Sequence, residues 1–353
     1  MQILSYLSFP AWLRPEIIPG LPLRWYGLMY LVAFFVAYQI VRIQVKEKGL
    51  DVQQDDVLNM FFWGILGLLV GARLFYVAIY DSGGEFLRRP WRIILPVEIE
   101  GGKLRFTGLA GMSYHGGLFG TVAAIVIYLR VKKFSIPEWG DMIVTGSALG
   151  YTFGRLGNFI NGELYGRITT LPWGMIFPRQ EIVNGRFQGT VPSQHLFPAS
   201  EPWVQEVAAR VGMDISGMRL VNLPRHPSQL YEAFFEGIVL WAILWFGFRK
   251  RKAFPGQMIA VYVMGYGFFR FLIEYVRQPD IGMDFPIQLV ELANPAIQFS
   301  PFNFTTGQIL NFVMILIGAG LYLFYKSQAE RMRKQRSARA ERPKGRKLRK
   351  KIR

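Results

Sequence analysis

The stretch GRLGNFINGELYG, residues 154–166, closes a long apolar run with Arg155, Asn158, Asn161 and Glu163. A guanidinium, two amides and a carboxylate so close together are groups that hold an anion or move a proton. Similar residues recur at other apolar boundaries. Tyr26 lies in RWYGLMY, and Arg73 and Tyr76 lie late in the next run. His115 opens SYHGGLFG, Gln229, Tyr231 and Glu232 open RHPSQLYE, and Arg270, Glu274 and Arg277 close GFFRFLIEYVR. A charge within hydrocarbon costs about 2.5–3.5 kcal/mol even on a lenient scale, so Arg155 and Arg270, which lie deepest, need anions. Glu274 is one helical turn from Arg270 and Arg277 and can supply one; Glu163 or Glu232 can supply others. A lipid phosphate would supply another through charge-assisted, bidentate bonds. Plainer readings stand beside these. Arg73 and Arg277 can snorkel, Tyr26 and Tyr231 can be belt aromatics, His115 can be a packing residue, and Glu274 a structural counter-ion.

The elements that must position these groups are membrane helices. The chain has 353 residues, of which 51% are hydrophobic and 15% aromatic. Its mean hydropathy is +0.22. Several windows stay apolar for about 18 residues or more, enough to cross a bilayer. The expected class is an all-α integral membrane protein with seven transmembrane helices, roughly 25–43, 57–79, 114–131, 139–160, 230–248, 256–276 and 307–325. The segments after the first, third, fifth and seventh are basic, which places them in the cytoplasm, with the N-terminus outside and the C-terminus inside. All the polar ends named above then share the outer side. The loop 80–113, with Arg88, Arg89, Arg92, Lys103 and Arg105, opposes this count. Its segment EFLRRPWRIILPVEI suits an interfacial arm. Residues 161–229 read as a small external, periplasmic-side head, with one amphipathic stretch at 203–211.

Other features narrow the function. The opening 23 residues hold four prolines and no basic start, so no cleavable signal peptide is expected. The net charge is +17, but 14 of the 41 Lys and Arg lie in the tail 326–353. Such a tail beside a membrane helix suits anionic lipid heads or topology, and no nucleic-acid partner is expected. The expected division is a catalytic membrane domain over 1–325, with the head inserted at about 161–229, and a basic cytoplasmic tail over 326–353. There is no cysteine, hence no disulfide and no thiolate nucleophile. With three histidines and no HExxH or similar ligand spacing, no metal is expected. HGGLFG lacks the context of a nucleotide loop, so no cofactor is expected. Small residues four apart, Gly67 and Gly71, then Gly146, Gly150 and Gly154, suit close helix packing. No internal repeat is evident, which weakens a secondary transporter.

At these residues the sequence resembles the bacterial prolipoprotein diacylglyceryl transferases. YHGGLFG, GRLGNFINGELYG, RHPSQLYE, GYGFFRFLIEYVRQPD and RWYGLMY carry the resemblance, which runs from about residue 20 to 325. It implies an enzyme of the bacterial cytoplasmic (inner) membrane. That enzyme would move the diacylglyceryl group of phosphatidylglycerol to the thiol of the lipobox cysteine in a prolipoprotein signal peptide. A thioether forms and glycerol phosphate leaves, the first step of lipoprotein maturation. The resemblance also implies essential positions at Tyr26, His115, Arg155, Asn158, Glu163, Arg270 and Glu274. In such a reaction Arg155 and Arg270 would stabilise the leaving phosphodiester. The arriving thiol, of ordinary pKa about 8.5, needs a base such as His115 or neighbouring cations. Asn158 and Tyr26 would orient the headgroup, and Glu163 and Glu274 would hold the arginines. Two other readings remain: a lipid or anion transporter with a cationic vestibule, and a membrane scaffold. The first leaves the lack of a polar path inward unexplained, and the second leaves Arg155 unexplained.

Overall fold

The computed structural model describes residues 6–18, 23–80, 84–88, 97–100, 103–106, 111–178, 181–183, 186–188, 191–278, 285–292, 294 and 300–340. Eight principal helices carry the chain: α1 (Trp25–Glu47), α2 (Gln54–Tyr80), α3 (Tyr114–Val131), α4 (Ile136–Asn161), α5 (Pro202–Val211), α6 (Ser228–Phe248), α7 (Gln257–Ile273) and α8 (Thr306–Ala340). The strands among the described residues form only two-stranded ladders. Among the described residues α1, α2, α3, α6 and α8 can cross a membrane by length and composition, five where the sequence reading expected seven. The other two are helices where expected but miss for different reasons. α4 has 26 residues but carries Glu138, Asp141 and Arg155 among many small and hydroxyl residues. α7 is apolar but has 17 residues, about 25 Å of rise. α8 does not stop near 325; it runs on through the first part of the basic tail, where Arg333 donates to the carbonyl of Ala253 at 3.0 Å.

The chain divides into two compact units: Met1–Ala37 with Gly140–Arg353, and Tyr38–Trp139. The second unit is built on α2 and α3, whose backbones touch through glycine. A Cβ on Gly67 would lie 2.5 Å from the carbonyl oxygen of Gly120, and one on Gly71 would collide with that of Gly116. Such contact lets dispersion and backbone dipoles join helices where lipid removes the hydrophobic drive. Gly116 is thus occupied by α2. At one end Lys132 pairs with the buried Asp56 at 2.7 Å, and Tyr128 donates to the same carboxylate at 3.1 Å. At the other, Arg73 donates to the carbonyl of Gly111 at 2.9 Å and lies over Phe86, so it ties down a loop rather than snorkelling. Of the expected interfacial arm, Glu85–Arg88 forms one helical turn, and Val97–Glu100 pairs antiparallel with Lys103–Phe106. Arg89 and Arg92 lie outside the described residues.

In the first unit α4 lies against α1: Cβ atoms on Gly146 and Gly150 would meet the carbonyls of Ala37 and Ala33 at 2.8 and 3.0 Å. Gly154 has open space beside it, so the packing reading fails there. Asp141 on α4 reaches the start of α7. It accepts from the backbone amides of Gly256, Met258 and Ile259 at 2.9, 2.9 and 3.1 Å, and from Lys252 at 2.6 Å. A buried carboxylate thus satisfies amides that a helix start leaves unpaired. α6 is irregular: Ala233–Val239 and Ile243–Phe248 are π-helical. Thr152 of α4 donates its hydroxyl to the carbonyl of Ala233 at 3.2 Å, a side chain inserted where the ladder widens. The segment between α4 and α6 has a small core of its own, Ile168, Val204, Val207, Val221 and Leu223, to which α5 contributes its apolar face. Each such buried side chain stabilises by about 1.5–3 kcal/mol. Phe9, just after the N-terminal strand Leu7–Ser8 that pairs with Met175–Ile176, packs beside Phe177.

Candidate functional site

The polar residues of the first unit meet around one carboxylate. Glu232, fully buried in the first turn of α6, lies 2.8 Å from Arg155 Nε of α4 and 3.0 Å from Arg270 Nη1 of α7. Arg277, beyond the end of α7, reaches it at 3.5 Å. Arg270 is enclosed on further sides by Glu236 at 3.8 Å and Glu274 at 3.3 Å. Glu236, also fully buried, accepts from the hydroxyl of Tyr151 at 2.5 Å, and that hydroxyl accepts from Arg155 Nε at 2.6 Å. Three arginines therefore meet three glutamates in one buried ionic network. Breaking such a set by removing one member costs about 3–5 kcal/mol, because a buried charge is left alone. The π-helical stretch carries Glu236, and such stretches are frequent at functional sites.

The opening motif forms the rim. α4 ends at Asn161, and Gly162, with φ +69°, turns the chain back on itself. Leu164 follows in the same left-handed region, at φ +58°, a conformation that costs a non-glycine residue free energy. The turn folds Glu163 over the last turn of α4, where it accepts from Asn158 Nδ2 at 2.9 Å and Asn161 Nδ2 at 3.2 Å. Glu163 was expected to hold an arginine; it holds the two amides instead, because the reversal brings it above Asn158 rather than beside Arg155. Gln229 of α6 donates to the Glu163 carbonyl at 2.6 Å and fixes the turn. Tyr26 packs over Gly157 and faces both Asn158 and Glu163, with its hydroxyl 3.0 Å from that of Tyr30. Tyr231 accepts from Trp173 Nε1 at 2.7 Å, and its hydroxyl lies 3.2 Å from His226 Nδ1.

Tyr26, Arg155, Asn158, Glu163, Arg270 and Glu274 thus share one connected network. His115 belongs to the second unit. It sits just after the N-cap Ser113 of α3, exposed, with Tyr114 edge-on beside it. The other two histidines are engaged elsewhere. His195 Nδ1 lies 2.8 Å from the Tyr165 hydroxyl, and burial, then the nearby Arg225, lowers its pKa. Burial alone lowers that of His226 to about 4. Both are neutral at ordinary pH.

A family model for prolipoprotein diacylglyceryl transferase matches residues 15–324. The chain belongs to the prolipoprotein diacylglyceryl transferase family. It is 48% identical over 325 residues to a protein of Treponema pallidum, covering 89% of this chain and 93% of that one. It is 46% identical over 346 residues to one of Treponema denticola, covering 95% and 98%. It is 36% identical over 323 residues to one of Chlorobaculum tepidum, covering 91% and 93%. All three are named phosphatidylglycerol–prolipoprotein diacylglyceryl transferase.

Sequence reasoning missed Tyr151, Glu236 and Arg225. Tyr151 is one helical turn before Arg155, and Glu236 one turn after Glu232, so the same-face spacing that linked Arg270 to Glu274 could have found both. Arg225 opens the quoted segment RHPSQLYE but was not singled out. It lies in a loop, yet it is fully buried, stacked 5.0 Å over Tyr165 and donating to the carbonyl of His195 and to Gln278, each at 3.0 Å. Burial lowers its pKa to about 10.

Glu274 is set by a contact that can be tested. Gly307, in the first turn of α8, lets the carboxylate lie against the helix start, where a Cβ would be 2.6 Å from Oε1. Thr305 donates to the same oxygen at 3.4 Å and closes a capping box with Gln308, whose amide donates to Thr305 Oγ1 at 3.1 Å. Gly307→Ala is expected to cost about 1–3 kcal/mol through overpacking. Gly320→Ala, on the same helix with nothing within 4 Å, is expected to cost nothing. Thermal unfolding in detergent compares the two; equal midpoints would show that Glu274 does not need the gap.

Proposed function

We propose that this protein transfers the diacylglyceryl group of phosphatidylglycerol to the lipobox cysteine of prolipoproteins, with the lipid phosphate held at Arg155. The cysteine sulfur attacks the glycerol carbon that bears the phosphodiester. The carbon–oxygen bond breaks, glycerol phosphate leaves with the bonding electrons, and a thioether remains. The observation that carries the reading is the state of Arg155. Its Nε is tied inward, while its terminal nitrogens make one contact among the described residues, Nη1 to Asn158 Oδ1 at 3.4 Å. A planar cation with an open fork matches two phosphate oxygens and stays charged as negative charge develops on the leaving group. Arg270 supports the clamp from behind by holding Glu232, Tyr26 and Asn158 orient the headgroup, Glu163 holds Asn158, and Glu274 holds Arg270. The decisive experiment incubates purified protein with phosphatidylglycerol and a lipobox peptide, and reads the diacylglyceryl adduct by mass spectrometry. Arg155→Ala and Arg270→Ala are expected to lose about 10²–10³-fold in rate, and lysine at either position to restore only part. Normal turnover by a well-folded Arg155→Ala protein would end the phosphate-clamp reading.

His115 is the proposed base. The other two histidines are neutral and hydrogen-bonded to tyrosines, whereas His115 is exposed, and the substrate brings the only thiol. A base contributes about 10²–10⁴-fold, and it is no longer needed once the thiol ionises by itself. His115→Gln is therefore expected to lose most activity near pH 6–7 and to recover toward pH 9. A mutant-to-parent rate ratio that stays flat across that range would make His115 an orienting group instead.

The proposed topology has seven crossings, α4 and α7 joining the other five, in a bacterial inner membrane. The N-terminus and residues 161–229 lie outside, and the C-terminus lies in the cytoplasm. The support is that the polar groups lowering the apolarity of α4 are spent on partners within the fold, so they do not face lipid. The chain lacks cysteine, so single cysteines at Gln188 and Lys252 can be labelled on intact cells with an impermeant reagent. Position 188 is expected to react and 252 to stay protected; the reverse pattern would invert the topology.

A further inference from the structure

The phosphate-clamp reading leaves open what orients the clamp. Arginine in a membrane helix has a long, mobile side chain, and a guanidinium can present any of three edges. In this protein the choice is made by a phenol. Tyr151 and Arg155 are one turn apart on α4, so their side chains share a face without any loop to order. The Tyr151 hydroxyl has one proton and lone pairs to place. Glu236 Oε2, which cannot donate when ionised, receives the proton at 2.5 Å. One of its two lone pairs accepts from Arg155 Nε at 2.6 Å, and the Tyr266 hydroxyl lies 3.5 Å from the same oxygen. The guanidinium carbon also lies 4.8 Å from the centre of the Tyr151 ring, a cation–π contact with the same residue. Behind the phenol, Tyr266 packs edge-on at 5.5 Å and keeps the ring from turning. The outcome is an arginine whose inner nitrogen is spent on Tyr151 and Glu232, and whose terminal Nη1 reaches Asn158 Oδ1 at 3.4 Å.

We infer that Tyr151 is a positioning residue for the transfer reaction: its hydroxyl anchors Arg155 Nε, so that the two terminal nitrogens are presented as a fork to the lipid phosphate. The inference rests on the reading that Arg155 holds that phosphate. It differs from general packing in one respect. Only the oxygen matters to it, since phenylalanine would keep the ring, the stacking and the volume. Glu236 gains a role in the same arrangement, because without that acceptor the phenol has no reason to turn its lone pair to Arg155.

Tyr151→Phe is expected to lower kcat/KM for phosphatidylglycerol by about 10–100-fold, the scale of a misplacement near 1 Å, with an unchanged thermal midpoint. In an Arg155→Lys background the same change is expected to add no loss, because lysine has no Nε to anchor and no fork to aim. A purely structural tyrosine would cost the same in both backgrounds, and that result would overturn the inference. Parent-like kcat and KM for Tyr151→Phe alone would overturn it as well, whatever the activity of the lysine background. If the phenylalanine protein does not accumulate, 3,5-difluorotyrosine at position 151 replaces it: the oxygen stays but accepts weakly, and an unchanged rate would be equally fatal. Failure of the underlying reading looks different. There, Arg155→Ala itself keeps its activity; where Arg155 is essential and Tyr151→Phe is silent, only the present inference falls.

Discussion

Glu232 makes the interaction on which the first unit depends. One carboxylate with no surface exposed meets guanidinium groups from α4, α7 and the segment after α7 at 2.8, 3.0 and 3.5 Å. No water reaches such a place to screen it, so the ions are strong only in company. Each arginine would be expelled from the apolar surroundings without the glutamates, and each glutamate without the arginines. The helices that carry them are held at fixed rotation and depth, because a slip of one turn would separate the charges. The π-helical stretch in α6 belongs to the same constraint: it follows Glu232 directly and carries Glu236, and Thr152 satisfies the carbonyl it frees.

The ionic network leaves its two deep arginines differently engaged. Arg270 is spent on three carboxylates. Arg155 is spent only on its inner side, and its outer side meets the amide of Asn158, which is itself held by Glu163. The deep ions are thus held by one another, and the rim is built from amide hydrogen bonds. Preorganisation of this kind costs folding free energy, visible in the left-handed Leu164 and the enclosed ions, and it removes the need to reorganise when charge moves.

The two units use different adhesives. In the second, α2 and α3 meet through glycine, backbone against backbone, with a buried ion pair at one end. In the first, glycine contact between α1 and α4 is joined by the polar network and by Asp141, which clamps the start of α7. Apolar side chains alone would not fix rotation in lipid, since one oily face is as good as another. Small residues and polar bonds do fix it.

The sequence by itself determined the helices and the side-chain inventory. The spans 114–131 and 230–248 are legible because lipid demands a continuous apolar run and a helix satisfies its own backbone. Arg155, Arg270 and Glu274 are legible because a charge within such a run has to be explained. What only tertiary structure decided is who meets whom. Glu274 was foreseeable beside Arg270 because helical spacing is local, but Glu232 as the partner of both deep arginines joins residues 77 and 38 positions away along the chain. Glu163 turned to Asn158 rather than to an arginine because a reversal at Gly162 redirected it. Arg225 looked like an ordinary loop cation and is fully buried, since the core formed around it by residues distant in sequence left it no exit to water. Composition and periodicity record what each segment must avoid; the pairing of buried charges depends on distances between helices, and those exist only once the helices have packed.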